Sequence, residues 1–302
     1  MAKRALTPSP LAELEEAELE RLALVAGRLL AGRPRLMPGD RPHRLKAGPG
    51  MEFLDHREYL PGDDLRNVDW LASARSGRTQ VRRFRDETSS DWIICLDCSA
   101  SMGIASGSKW RLAVQLAAAY AYLLISLDNR VATILFRGRV VGLRALGRGK
   151  PAYAGILRLL ESAAPPDSGG GSRLGTCIAH LPPGCQLLVI SDFLTRDHMA
   201  PDLARLSRLA EAVHAVQVLS RRETRIHRQG RTRLEDIESG ATVSLELTRE
   251  TLSAAGDRLR ESSEALFRHC RKHGIGFTRC DAEEGWRSAL MQQLKALGGN
   301  SA

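Results

Sequence analysis

A chain of 302 residues, 43% hydrophobic and 26% charged, is long enough for one large or two modest domains and apolar enough for a buried core, which excludes disorder throughout. Aromatic residues make up only 5%, so that core is aliphatic, and six cysteines are too few for a disulfide scaffold. The 44 Lys and Arg against 35 Asp and Glu leave a net charge of +9, which suits an acidic protein surface, an anionic membrane or a nucleic acid without choosing among them.

In chain order, Lys3 and Arg4 precede Glu13, Glu15, Glu16, Glu18 and Glu20, which interrupt any apolar stretch, so no secretory leader is expected. Ser9-Pro10 reads as a helix start, with Leu11, Leu14, Leu22, Val25 and Leu29 on one face. From Gly32 to Gly50 the pattern dissolves into prolines and glycines. Between Arg28 and Arg85 there are 13 Lys/Arg against 7 Asp/Glu, a basic extension. From Ser90 onward strands and helices alternate. Strands are expected at Trp92–Leu96, Arg130–Phe136, Gln186–Ser191, Val213–Leu219 and Gly274–Cys280, the last of these read as the final element. A hairpin extension is expected over Gly138–Leu146, and two short strands between Arg221 and Leu247. Helices are expected at Lys109–Leu127, Tyr153–Ser162, Pro201–Ala212 and Arg249–His273. This order predicts a doubly wound α/β fold with a mostly parallel sheet, preceded by a helical and irregular extension. The division expected is 1–88 for the extension, packed on the main domain, and 89–302 for that domain. The longest apolar run, Leu112–Leu127, is 16 residues, short of the roughly 20 that a membrane span needs, so a buried helix and a cytoplasmic protein with reduced thiols are expected.

The first main strand runs into Asp97-Cys98-Ser99-Ala100-Ser101, a D-x-S-x-S pattern. Loops at the carboxyl ends of strands are where α/β sheets place ligands. A carboxylate and two alternate hydroxyls offer the all-oxygen surroundings that Mg²⁺ prefers. The third strand ends in Ser191-Asp192-Phe193, a second carboxylate at the same edge, and two facing carboxylates need a cation or a proton between them. Spacing alone leaves open a plainer reading, in which Ser99, Ser101 and Asp192 cap helices.

The D-x-S-x-S motif, a later Gly-Ser loop and the Ser-Asp strand end resemble the metal-ion-dependent adhesion site of von Willebrand factor A domains. The upstream block Glu52-Phe53, Tyr59-x-Pro61-Gly62-Asp63-Asp64-x-Arg66-x-x-Asp69-Trp70-x-x-Ser73-Ala74-Arg75 is similar to the signature of the bacterial family called domain of unknown function fifty-eight, in which that block runs into an A-type domain. The resemblance extends to the last strand and includes the turn Glu235-Asp236-Ile237-Glu238-Ser239-Gly240. It implies metal ligation by Asp97, Ser99, Ser101, Ser172 and Asp192. The serines would touch the ion directly and the aspartates would act wholly or partly through water. Ser172 stands where the family has threonine, and Thr176 is a second loop hydroxyl. Arg173 replaces the usual acidic residue and could contact an acidic partner. The implied cofactor is Mg²⁺ or Mn²⁺. The implied partner is a MoxR-type AAA+ ATPase together with a client protein, one of whose carboxylates completes the coordination.

Other motifs are weaker. Cys95-Leu-Asp-Cys98 runs along a buried strand rather than opening a helix, so packing cysteines are expected. His269 and His273 lack the glutamate of an H-E-x-x-H site, and Gly169-Gly170-Gly171 lacks a following Gly-Lys-Ser/Thr. The expected function is a non-catalytic, metal-dependent protein-interaction module with no small-molecule substrate. One rival is a metal-dependent phosphatase or hydrolase using Asp97, but Ser99 stands where a D-x-D enzyme needs its acid. The other rival is nucleic-acid binding by the basic N-terminal segment, whose few aromatics suit base stacking poorly. Trp70 is expected to be a buried anchor, in a segment whose alternating charges form an internal polar network.

Overall fold

The structure, a computed structural model, describes residues 9–30, 51–59, 67–86, 90–104, 107–169, 171–194, 199–224 and 230–299. The irregular stretch at 31–50 and the Pro61–Asp64 and Arg66 part of the upstream block lie outside these. The chain divides into two compact units, one of Met1–Pro42 with Ser90–Ala302 and one of His43–Ser89.

The smaller unit carries β1 (Met51–Glu58), β2 (Val68–Asp69), α2 (Trp70–Ser76) and β3 (Gln80–Asp86), with strand order β1-β3-β2, all antiparallel. Asp69 organises it. Its Oδ1 accepts the Leu71 and Ala72 amides at 3.0 Å each and so caps α2, while its Oδ2 faces His56 Nε2 at 3.0 Å and Arg82 Nε at 3.2 Å. Ser73 Oγ donates to Asp69 O and accepts from Gln80 N, tying α2 to β3. Of the charges expected to form an internal network, Asp63, Asp64 and Arg66 lie outside the described residues, and Asp69 pairs with His56 and Arg82 from the strands instead. Trp70, however, is 71% exposed, not a buried anchor, because the first turn of α2 directs it and Leu71 outward.

The larger unit is α/β. Its helix α1 (Glu16–Leu30) is preceded by a separate 3-10 turn at Pro10–Glu13, where Ser9 Oγ accepts from Leu11 N at 3.3 Å. Leu19, Leu22 and Ala26 form its buried face, whereas Val25, expected on that face, is exposed. The sheet comprises β4 (Asp91–Asp97), β5 (Arg130–Phe136), β6 (Val140–Gly147), β7 (Gln186–Ser191), β8 (Ala212–Leu219) and β11 (Gly276–Asp281), in the order β11-β8-β7-β4-β5-β6. Every pairing is parallel except β5 with the edge strand β6. The central strands read as continuous apolar runs because both their faces are covered. Trp92, Ile94 and Leu96 of β4 pack towards α1, α3 (Ser108–Ser126), α4 (Gly149–Glu161) and α8 (Gly285–Gly299). Ile93 and Cys95 pack oppositely, towards α5 (Met199–Leu209) and α7 (Arg249–Lys272). The helix α8 follows what the sequence pattern suggested was the last strand. Its Trp286, Ala289, Leu290 and Leu294 repeat at helical spacing and are buried.

A short helix α6 (Arg221–Thr224) and a two-stranded hairpin, β9 (Gly230–Glu235) with β10 (Thr242–Leu247), sit outside the six-stranded sheet. No described helix is long and apolar enough to cross a membrane.

Candidate functional site

Strand order reverses between β4 and β7. From β4 the chain first adds β5 and β6 on one side, then returns to add β7, β8 and β11 on the other. The helices leaving β4 and β7 therefore diverge to opposite faces, and the crevice at the carboxyl ends of these two strands is where open α/β sheets bind ligands. Leu96 pairs with Ile190, which sets Asp97 level with Ser191. Successive strand residues alternate faces, so Asp97 points with Ile93 and Cys95, and Ser191 with Leu187 and Val189, into the same side of the crevice.

The site is built around Asp97, which is fully buried. Its Oδ2 accepts the Ser172 hydroxyl at 2.7 Å and the Ser191 hydroxyl at 2.6 Å, and its Oδ1 accepts the Ser99 amide at 2.9 Å. Ser99 Oγ and Ser101 Oγ are hydrogen-bonded to each other, 3.1 Å apart and both buried. Ser99 stands at the cap position of the 3-10 turn Ala100–Gly103 but makes no capping bond, so the capping alternative does not hold for it. Thr176 Oγ1 instead donates to Arg173 O at 2.8 Å, which leaves Ser172 as the loop hydroxyl at Asp97. Arg173 is exposed, its amide bonded to Arg137 O, in a cleft shared with Thr176, Asp202 and Arg205.

Asp192 is also fully buried, and Leu194 N donates to its Oδ1 at 3.2 Å. Among the described residues it caps no helix, α5 being described from Met199. The next residue, Phe193, has φ +53°, a left-handed backbone that costs a side-chain-bearing residue on the order of 1 kcal/mol and turns the chain away at once. Three neighbours escaped the sequence reading as site residues. Lys109, buried in the first turn of α3, donates to Asp192 Oδ2 at 2.8 Å and to Glu223 Oε1 at 2.5 Å. A cation at a helix N-terminus opposes the helix dipole, and that misfit was the available signal. Ser191 was legible from strand alternation. Glu238, on the β9–β10 turn, lies against the same crevice: a Cβ on Gly171 would lie 3.7 Å from its Oε2, and Ser101, Asp97 and Asp192 all act on its carboxyl.

The electrostatics follow from this placement. Burial, and then the charge of Asp192, push the Asp97 carboxyl up to about 6, even though the Ser191, Ser172 and Ser99 hydrogen bonds pull it down. Glu238 is also raised, by burial first and then by Asp192 and Asp97, against the lowering effect of the nearby Ser101 hydroxyl. Lys109 is held above its ordinary value: burial alone would lower it, and the carboxylates of Asp192 and Glu223 outweigh that. Asp192 and Glu223 thus share the Lys109 ammonium, while Asp97 and Glu238 have no basic partner among the described residues.

No three His, Cys, Asp or Glu side chains form a direct metal-ligand set among the described residues. The oxygen set present is of a different kind, mainly hydroxyls backed by buried negative charge, and that fits a hard divalent cation. Ser99, Ser101 and Ser172 are the oxygens able to face such an ion. Asp192 is engaged by Lys109 and would act at one remove. All six cysteines are buried free thiols, with Cys95 pushed up by the neighbouring Cys177 thiol and by burial, as packing residues are. His269 and His273 stack on each other with ring centroids 4.5 Å apart.

A profile of the family described as "Protein of unknown function DUF58" matches residues 55–265. The chain belongs to that family. Uncharacterized proteins of Mycobacterium tuberculosis and Mycobacterium bovis are each 30% identical over 200 residues, covering 64% of this chain. The match covers 62% of their length, so the chain spans less than two thirds of the curated relatives it matches. Among solved structures, the conserved hypothetical protein BatB from Bacteroides thetaiotaomicron is similar at 16% identity and TM-score 0.36, covering 69% of this chain and 98% of its own. An aerotolerance-related membrane protein from Bacteroides fragilis gives 16% identity and TM-score 0.37, covering 68% and 99%. The pilus adhesin SpaC from Lactobacillus rhamnosus gives 12% and 0.41, covering 72% and 31%.

Proposed function

We propose that this DUF58 protein is a non-catalytic, divalent-cation-dependent protein-interaction module with a von Willebrand factor A-like site, acting in the cytoplasm with a MoxR-type AAA+ ATPase and a client protein. The observation that carries this reading is the excess of buried negative charge at the switch point, lined by Ser99, Ser101 and Ser172. A protein with no ligand there must hold Asp97 partly protonated at a cost, whereas a bound cation would remove that cost. When bound, Mg²⁺ or Mn²⁺ supplies a Lewis-acidic point that draws a carboxylate from a partner. Asp97 orients Ser172 and Ser191, and Asp192 with Lys109 fixes the opposite wall. A catalytic reading is less favoured by the same geometry: three donors from its own chain already hold the Asp97 oxygens, two on Oδ2 and one on Oδ1.

The test is capture of the ATPase or client by purified protein in Mg²⁺, in chelator, and by an Asp97→Ala variant. Capture is expected to fall in chelator and in the variant, and Ser172→Ala is expected to show a smaller loss. Unchanged capture in EDTA removes the mechanism. Metal-dependent phosphoester hydrolysis lost in Asp97→Ala would replace it with the enzyme reading.

A further inference from the structure

The turn between β9 and β10 is built to stand without the Glu238 side chain. Asp236 accepts the Glu238 amide on Oδ1 at 3.0 Å and the Ser239 hydroxyl on Oδ2 at 2.6 Å. Asp236 N and Gly240 N close the turn through Ala241 O at 2.8 Å and Asp236 O at 2.7 Å, with Gly240 in the left-handed conformation at φ +71°. The Glu238 carboxylate is therefore not spent on the turn. It lies instead over Gly171, on the loop that carries Ser172, and near enough to Ser101, on the loop after β4, to feel its hydroxyl. The turn is pinned there by its backbone, since Gly169 N donates to Ile237 O at 2.8 Å. A carboxylate thus sits between two of the three loops that form the crevice, beside negative charges that repel it.

We infer that Glu238 is a ligand supplied in cis: the β9–β10 turn holds its carboxylate where a partner's carboxylate would complete the coordination, so that the hairpin competes with the partner for the site. This rests on the cation-dependent reading above. The same-sign neighbours give Glu238 no reason to stay without a cation, because like charges in a buried crevice repel. With one, the placement becomes favourable. The hairpin is also suited to leaving. It is a two-stranded sheet outside the main one, its strand residues Leu234, Val243 and Leu245 are exposed, and an isolated hairpin is only marginally stable. A tethered carboxylate acts at high effective concentration, so it closes the site to weak carboxylates and yields only to a partner offering additional contacts.

The experiment uses the full chain and Mn²⁺ alone as probe, following affinity by electron paramagnetic resonance and the hairpin by hydrogen exchange. The wild type is expected to bind Mn²⁺ and to gain protection at 236–241. Asp97→Ala is expected to lose binding. Glu238→Ala and Glu238→Gln are each expected to weaken Mn²⁺ binding about 10-fold or more, without the added protection. Glutamine keeps the length and shape, so wild-type affinity in Glu238→Gln shows that the carboxylate is no ligand and overturns the inference. Binding lost in Asp97→Ala but unchanged in Glu238→Ala also overturns it, leaving the cation site standing. No Mn²⁺ binding by the wild type overturns both.

Discussion

Strand β4 begins and ends with an aspartate, and the two have opposite fates. At the amino edge, Asp91 is partly exposed and gripped along one edge of a guanidinium, Arg130 Nε at 2.6 Å and Nη2 at 2.5 Å, from the neighbouring strand. At the carboxyl edge, Asp97 is fully buried, held by two hydroxyls and an amide, with no basic partner among the described residues. The first charge is closed by the chain itself. The second is left open in the one crevice that the strand order creates. Charge that a fold buries without balancing marks where it awaits something from outside.

The largest effect expected at the open end comes from its single cation. Lys109 and Asp192 have fully buried side chains, and breaking a buried pair strands the remaining charge. Lys109→Met is expected to cost about 3–5 kcal/mol in urea denaturation, and adding Asp192→Asn is expected to recover part of that. A loss below about 1 kcal/mol would mean that this end is as tolerant as the other, and the contrast would fail.

Next in size is a pH effect of opposite sign to the familiar one. The Asp97 carboxyl rises from its ordinary 3.8 to about 6 on folding, so the folded state binds its proton more tightly than the unfolded chain. That contribution to stability is full below pH 3.8 and is lost as pH rises through 6. In chelator, Asp97→Asn is therefore expected to be more stable than wild type at pH 7.5, by on the order of 2 kcal/mol, with the difference shrinking towards pH 4. Mg²⁺ is expected to restore the wild type at pH 7.5 without stabilising the variant. Parallel stability–pH curves for the two proteins would rule this out.

How much of this was readable beforehand depended on the distance over which the information acts. The strands β4, β7 and β8 and the placement of Asp97 and Asp192 at one sheet edge followed from local apolar runs and from which residue ends each strand, both short-range signals. Ser172 could be chosen over Thr176 only once the loop was seen to point one hydroxyl at Asp97 and the other at its own backbone. Lys109 and Glu223 are 114 positions apart, and nothing local to either announces the other. In the sequence Glu223 is the one acidic residue between Arg221 and Arg233, among six arginines. Trp70 misled because size and apolarity suggest burial, yet a large side chain at the start of a seven-residue helix is turned outward by helical geometry. The helix α8 was legible in its Trp286, Ala289, Leu290 and Leu294 spacing and was simply not drawn from it.

The smallest expected effect tests the closed end. Arg130 is about half exposed, so its pair with Asp91 forms largely in water, where Coulomb energy is weak and two side chains must be ordered to gain it. The bidentate geometry places it near the upper end for surface pairs. Asp91→Ala is therefore expected to cost about 0.5–1 kcal/mol, and less in molar salt, because exposed charges are screened over about 3 Å there. The Lys109→Met cost, arising where solvent ions do not enter, is expected to be the same at low and high salt. Urea titrations of both variants at two salt concentrations make the comparison directly. An Asp91→Ala loss that matches Lys109→Met in size and ignores salt would show that the two ends of β4 are not electrostatically different, and the case for an open site at Asp97 would lose its reference.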